Sequence, residues 1–400
     1  MNVAGIDVSK GKSMVTVVQP LGKVVAKPYE VLHTVSDLEK LTEFLKSLNG
    51  ETRIVMENTG VYNQPIANYF HESGLYVSTV NAKEIYNYDK DTLRKVKTDK
   101  ADARKIAKYG IAKWEELRQY EPEEDVRRQL KDYGRQYAFY SRMKTMQKNN
   151  LDALLEKTFP EVKSLFKSHI REDGHEKWID FVDKFWHIEC VNNLSKTKFR
   201  EQYKKWCAKL GYYYLETKAD EVYEISQKYI AFFPKDDLTE FLIKQAVREI
   251  NSLAEVQAGL LRKMKEISQS MPEWEIVIEM AGVGASLAAQ LIAEIGDINR
   301  FERKQSLSGF AGIDSPPNQS GMSDRQGAPV TKSGSAHLRR ILFLITMSLV
   351  QNKPDDKVYN FIDKKRSEGK PYLVYMVAGA NKFLKVYYGK VKEHISQTNL

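Results

Sequence analysis

The 400-residue sequence has only two cysteines, Cys190 and Cys207. That is too few for a disulfide scaffold and fits a reducing cytoplasm. It also lacks any apolar run of about 18 residues, so no spanning helix and no membrane partner are expected. The opening MNVAGIDVSKGK goes directly into a strand-like pattern, without the apolar core of a signal peptide. No short-period repeat or low-complexity tract is evident. Acidic residues fall short of basic ones, 53 against 62, leaving a net charge of +9. Such an excess favours a polyanionic partner, and with the membrane reading weakened nucleic acid leads. What is present is 42% apolar residues, enough for two or three domains with real cores.

Residues 3 to 31 read as three short strands, VAGIDVS, SMVTVVQP and GKVVAKPYEV, with Gly and Pro at their joins. SDLEKLTEFLKSL follows as a helix, with Ser36 as its expected N-cap and Leu38, Leu41, Phe44, Leu45 and Leu48 on one face. TRIVMENTG is another strand, YNQPIANYFHESG a helix closed by Gly74, and LYVSTV a further strand before a last helix. An opening meander followed by alternation is a ribonuclease-H-like order, not a purely doubly wound one. This α/β domain is expected over residues 1–118, ending before EPEED.

The remainder reads as α. An arm over 119–270 contains two long helices. The first, from Val126 to about Thr158, carries Val126, Leu130, Tyr133, Tyr137 and Tyr140, then Leu151 and Leu154 after the polar Lys144 and Gln147. The second runs from Leu238 to Ile267 through Ile243, Ala246, Ile250, Leu253, Leu260, Met264 and Ile267, with Gln257 in one seam position. Alternating spacings of three and four mark a coiled-coil seam, so the two helices should pair antiparallel or dimerise. Between them, 160–236 reads as a mostly helical insertion of aromatic and charged residues. Its His187, Cys190 and Cys207 are too few and too loosely spaced for a zinc site. Over 271–400, MAGVGASLAAQLIAEIG resembles a helix-hairpin-helix, SPPNQSGMSDRQGAP an exposed loop, and AHLRRILFLITMSLV a basic helix. A Gly-rich turn of that kind either offers amides to a phosphate or simply allows close helix packing.

Four carboxylates carry the chemistry. Asp7 ends the first strand and Glu57 ends a strand that can lie beside it; Asp99 and Asp102 sit at i and i+3 on the helix after the last strand. Singly, each has a bland explanation, a turn residue or a solvated helix face. Together they would repel one another and raise their pKa values unless a cation joined them. Hard oxygen ligands suit Mg²⁺ or Mn²⁺, and paired ions clamp the attacking and leaving oxygens of a phosphodiester.

GIDVSK, MENTG and KTDKADARKIA resemble the motifs of DEDD transposases of the insertion-sequence-110 family. MAGVGASLAAQLIAEIGDINRFERKQSLSGFAGIDSPPNQSG and TKSGSAHLRR resemble that family's C-terminal domain. The resemblance implies a site-specific DNA recombinase with a RuvC-like domain, a coiled coil and a C-terminal transposase domain. It further implies recognition of donor and target DNA through a structured bridge RNA, in the cytoplasm at the nucleoid. Dimers would join into a tetramer, with protomers sharing active sites. By motif, Asp7, Glu57, Asp99 and Asp102 would be the metal-binding tetrad and Ser320, in NQSG, the nucleophile. Ser333 and Ser335 compete for that role, and Thr331 stands where family members often carry serine. A bare serine is a poor nucleophile near neutral pH and needs a base or a metal-bound phosphate to react.

Lys10, Lys97, Lys100, Arg104, Arg339 and Arg340 flank these motifs as candidate phosphate contacts. Further cations accumulate along the first long helix, where Tyr133 and Tyr137 are expected to pack rather than stack on bases. Two rival readings use the same residues: a metal-dependent nuclease or Holliday-junction resolvase without serine chemistry, and a catalytically silent RNA- or DNA-binding protein. An actin-like kinase would need a second Gly-rich phosphate loop, and none is present.

Overall fold

The computed structural model describes residues 1–58, 60–88, 98–166, 170–314, 319–320, 323–324 and 329–398. The chain divides into two compact units, Met1–Pro122 and Glu123–Leu400.

In the first unit, β1 (Asn2–Ser9), β2 (Lys12–Val18) and β3 (Val24–Leu32) form an antiparallel meander. Helix α1 (Val35–Ser47) leads to β4 (Thr52–Glu57), α2 (Asn63–Glu72) to β5 (Tyr76–Val80), and α3 (Ala82–Tyr88) and α4 (Asp99–Ala112) follow. The sheet order is β3-β2-β1-β4-β5, with β1–β4 and β4–β5 parallel. Both faces are covered, which is why β1 and β4 read as nearly continuous apolar runs. Ala4, Ile6, Ile54 and Met56 pack with Leu38, Leu41, Leu45, Ile66 and Phe70 from α1 and α2. Val3 and Val55, from the alternate positions, pack with Ile106 and Ala107 of α4. The cap of α1 is Thr34, not Ser36: the Thr34 hydroxyl accepts the amide of Asp37, so the helix begins one residue before the serine. Gly74, at φ +77°, follows α2 in the left-handed conformation.

Among its described residues, the regular structure of the second unit is helical apart from one small ribbon. Its spine is α5 (Asp125–Thr158) and α10 (Asp237–Gln269), which pack against each other over much of their length. They run antiparallel, for Arg127 near the start of α5 meets Glu273 beyond the end of α10, with N–O distances of 2.5 and 3.0 Å. Between them lie α6 (Lys177–Lys184), α7 (Glu189–Asn192), α8 (Lys196–Leu210) and α9 (Glu216–Lys228). After α10 come α11 (Trp274–Ile278), α12 (Ala285–Ile295), α13 (Lys304–Ala311), the ribbon β6 (Gln319–Ser320) and β7 (Ser323–Asp324), then α14 (Ala336–Asn352), α15 (Lys357–Ser367) and α16 (Tyr372–Thr398).

The spine belongs to two cores. Leu130 and Met264 join the C-terminal helices, while Leu151, Leu155, Ile243, Ala246, Val247 and Ile250 join the aromatic core of α6–α9. The polar break at Lys144 marks where the insertion docks. Its ammonium is buried, donates to the Gly174 carbonyl at 3.1 Å and pairs with buried Glu176. Gln257, another polar seam position, faces the Tyr137 hydroxyl. Leu238, expected in the seam, is 78% exposed instead. Both ring nitrogens of His187 face the backbone: Nε2 lies 3.0 Å from the Phe233 carbonyl, and Nδ1 accepts the Glu189 amide.

Candidate active site

The register of β1 against β4 runs from Asn2 opposite Thr52 to Ile6 opposite Met56, so its continuation brings Asp7 level with Glu57. In parallel strands of one register, side chains alternate in step. Asp7 and Glu57 therefore share a sheet face with Val3, Gly5 and Val55, the face that α4 covers.

Glycine decides how closely α4 comes. A Cβ on Gly5 would fall inside contact distance of the Ala103 carbonyl oxygen and of Ala107. One on Gly110 would lie 2.7 Å from Val3 and 2.8 Å from Val55. The helix thus lies on the bare backbone of β1, running opposite to it: Gly110 over Val3, Ala103 and Ala107 over Gly5, and its N-terminus toward Asp7. Asp99 and Asp102 occupy the first turn, after Thr98 caps it by accepting the Ala101 amide at 3.2 Å. Carboxylates are favourable at that end of a helix, so the local cost of placing them there is small.

The electrostatic consequence falls on the strands. Burial, then Asp102 and Asp99, push the Asp7 carboxyl up to about 6. Burial, then Asp7 and Asp102, raise that of Glu57, while Lys105 lowers it. None of the four carboxylates makes a hydrogen bond or ion pair to another described residue. Among the described residues, no three His, Cys, Asp or Glu side chains stand close enough to share one ion. The carboxylates are near enough to repel and still too far apart to ligate together. An all-oxygen donor set in which Asp102 and Asp99 raise Asp7, and Asp7 and Asp102 raise Glu57, fits a hard divalent cation, which would remove the repulsion and draw them inward.

Two expectations follow. Gly5→Ala should lower the melting temperature, since overpacking of this kind costs about 1–3 kcal/mol and α4 cannot lift without leaving its core. An unchanged melt would show that the helix does not rest on β1. The second concerns pH. Because Asp7 titrates near 6 in the folded chain instead of 3.8, its protonated form favours folding. In metal-free protein that contribution is complete below pH ~4 and is lost as pH rises through ~6. Asp7→Asn should therefore stabilise the metal-free chain at pH 7 by about 1 kcal/mol, after allowing for solvent screening. Mg²⁺ should raise the melting temperature of the unaltered chain more than that of the variant. Equal melts at pH 7 would remove the strain.

The other expected residues are distributed unevenly. Lys10, Lys100 and Arg104 are exposed, and Lys97 lies outside the described residues. Lys105 went unnoticed in the sequence, yet it is the cation that acts on Glu57; its position three residues after Asp102, on the same helix face, was the available signal. In the second unit, the backbone of Ser320 pairs with Ser323 in the ribbon, and its side chain lies outside the described residues. Ser335 caps α14 by accepting the Leu338 amide, and its hydroxyl donates to buried Glu294 at 2.5 Å. The Ser333 hydroxyl donates to the Thr331 carbonyl at 3.3 Å, and the Thr331 hydroxyl to Asp314 at 2.6 Å. Arg339 donates to the carbonyls of Ala311 and Gly334, both at 2.9 Å, which ties it to the loop before α14. Arg340, more exposed, reaches Ser141 on α5.

Comparison with known proteins agrees with both ends of the chain. A model of DEDD transposases of the IS110 group, described as Transposase, matches residues 4–160. A second, described as Transposase IS116/IS110/IS902 family, matches residues 275–360, and together they cover more than half of the chain. A 43.6 kDa protein of insertion element IS110 from Streptomyces coelicolor is 20% identical over 174 residues, 44% of this chain and 42% of that protein. A 42 kDa protein of insertion element IS900 from Mycobacterium paratuberculosis is 25% identical over 163 residues, 40% of each. The chain thus spans less than half the length of these two relatives. A pilin gene-inverting protein from Moraxella bovis is 20% identical over 341 residues, 85% of this chain and 80% of that protein. The chain belongs to the IS110 family of insertion-element transposases.

Proposed function

We propose that the chain is a site-specific DNA recombinase that cuts and rejoins phosphodiesters with a carboxylate-held metal and a serine. The observation that carries this reading is the mutual repulsion of Asp7, Glu57 and Asp102 across β1, β4 and α4. A structural role would leave such groups paired. Asp7, Glu57, Asp99 and Asp102 would hold Mg²⁺ or Mn²⁺. The bound ion would make phosphorus more electrophilic and steady the charge on the leaving oxygen.

Ser320 would act on that phosphate. Its oxygen forms a bond to phosphorus, the strand's ester oxygen leaves and takes up the proton, and the protein is left joined to DNA. A hydroxyl of another strand reverses the step and frees the serine, so no bond energy is lost to water. Inversion of a gene is a cut-and-rejoin process, and the likeness to a gene-inverting protein along most of both chains supports rejoining over hydrolysis. The division of labour would follow residues 1–118 as RuvC-like catalytic domain, 119–270 as coiled-coil arm and 271–400 as serine-bearing domain. The family resemblance supports a bridge RNA as guide to donor and target DNA, dimers assembling to a tetramer, and action at the nucleoid.

The test is to sequence RNA that copurifies with the protein and to assay strand exchange on DNA matching its loops. Joined products that require Mg²⁺ are expected. Cleavage without joining would replace recombination with a nuclease reading.

A further inference from the structure

The insertion between α5 and α10 contains a surface trough to which the reading above gives no task. It encloses about 660 Å³ and is lined from the end of α6, from α8, from α10 and from the loop before α6. His175, Asp183, Lys244 and Asn251 continue it into a neighbouring depression that contains Arg248.

The lining is cationic from several directions. Helix α8 contributes Lys205 and Lys209, and α10 contributes Lys244 and Arg248, each pair one turn apart; Lys184 and Arg171 complete the set. Like charges at i and i+4 weaken a helix, so local stability does not account for either pair. Few carboxylates are available to answer them. Asp180 is buried and taken by His175 at 3.0 Å, Tyr212 at 2.6 Å and Asn251 at 3.1 Å. Asp173 is taken by Arg171, Glu240 by Lys244, and Glu255 lies 3.4 Å from His175. Asp183 lies under the field of Lys244 and Arg248 without a salt bridge to either. Lys184, Lys205, Lys209 and Arg248 make no salt bridge to a described residue, and Lys205 and Lys209 hold the Lys184 ammonium below its usual range after burial does so. Trp206 also lines the trough, but it is buried and stacked on Tyr203 and Tyr212, so it offers no free face to a base. Cations without an aromatic platform suit a sugar-phosphate backbone rather than bases.

We propose that this trough holds the phosphodiester backbone of a nucleic acid, making the insertion a sequence-independent anchor. The proposal rests on the reading of the chain as a nucleic-acid enzyme and adds to it a task for residues 170–251.

The experiment is equilibrium binding by the full-length chain to a duplex DNA and to a stem-loop RNA of equal length, across a salt series. Lys205→Glu with Lys209→Glu should weaken binding to at least one probe about tenfold and flatten the log–log salt dependence by roughly 0.7–0.9 per lost contact. Lys205→Gln with Lys209→Gln, a milder change at two exposed sites, should move affinity and slope in the same direction by less. Lys40→Glu with Lys46→Glu, on α1, should leave the slope nearly unchanged. Loss confined to duplex assigns the trough to DNA, and loss confined to the stem-loop assigns it to RNA. Unchanged affinity and slope for both probes in the folded glutamine or glutamate variant would overturn the proposal while leaving the recombinase reading intact. Failure of the unaltered chain to bind either probe would remove both.

Discussion

Asp102→Asn will bind nucleic acid and fail at strand exchange, with a loss of about 10²–10³-fold. The substitution keeps size and helix propensity and removes one negative charge from the first turn of α4. That charge is among the causes that raise both Asp7 and Glu57, so its carboxylate reaches both strands at once. Several kcal/mol of transition-state stabilisation by a bound ion corresponds to a factor of about 10²–10³, and loss of an anionic ligand removes most of it. Binding depends instead on cations, whose number is unchanged. The assay is Mg²⁺-dependent joining of two DNA duplexes beside a filter-binding or anisotropy measurement on the same preparation. Exchange at the unaltered rate would end the assignment of Asp102 to the site.

Ser320→Ala will abolish a protein–DNA adduct that survives denaturation. On a nicked or suicide substrate, where rejoining is blocked, the serine mechanism traps the covalent phosphoserine, and electrophoresis under denaturing conditions reveals it. Removing the oxygen leaves no atom to form the bond, so the expected loss is complete. Ser333→Ala and Ser335→Ala separate chemistry from architecture. Ser335 caps α14 and donates to Glu294, so its alanine variant should lose about 1 kcal/mol of stability and retain the adduct. Adduct formation by Ser320→Ala would transfer the nucleophile to another residue, and full strand transfer by that variant would remove Ser320 from the mechanism.

Much of the first unit was legible because its signals are local. Apolar alternation and Gly or Pro at the joins mark β1 to β3, and the apolar face of α1 marks a helix. Glu57 could be placed at a strand end for the same reason, whereas β1 runs on through Val8 and Ser9 in its pairing with β2, so Asp7 lies two residues inside the strand and not at its end. The start of α1 was misplaced because Thr34 and Ser36 are both good caps, and only the chain's path from β3 chooses between them. In the second unit the spacing of apolar residues located α5 and α10. The break at Lys144 looked like a weak seam, since nothing near it in sequence announces Glu176 or the carbonyl of Gly174.

What the sequence by itself determined is the set of elements and the kinds of group they carry: carboxylates on two strands and on one helical turn, and cations spread over long helices. Periodicity and capping act over a few residues, and those are written in order along the chain. Tertiary structure decided which of these groups feel one another. Gly5 and Gly110 lie more than a hundred positions apart, yet both remove side-chain bulk from the β1–α4 contact and so bring Asp99 and Asp102 within the field of Asp7. That proximity depends on the parallel register of β1 with β4 and on the close approach of a helix. Neither is encoded in a local pattern, because each is the outcome of packing between segments distant in sequence.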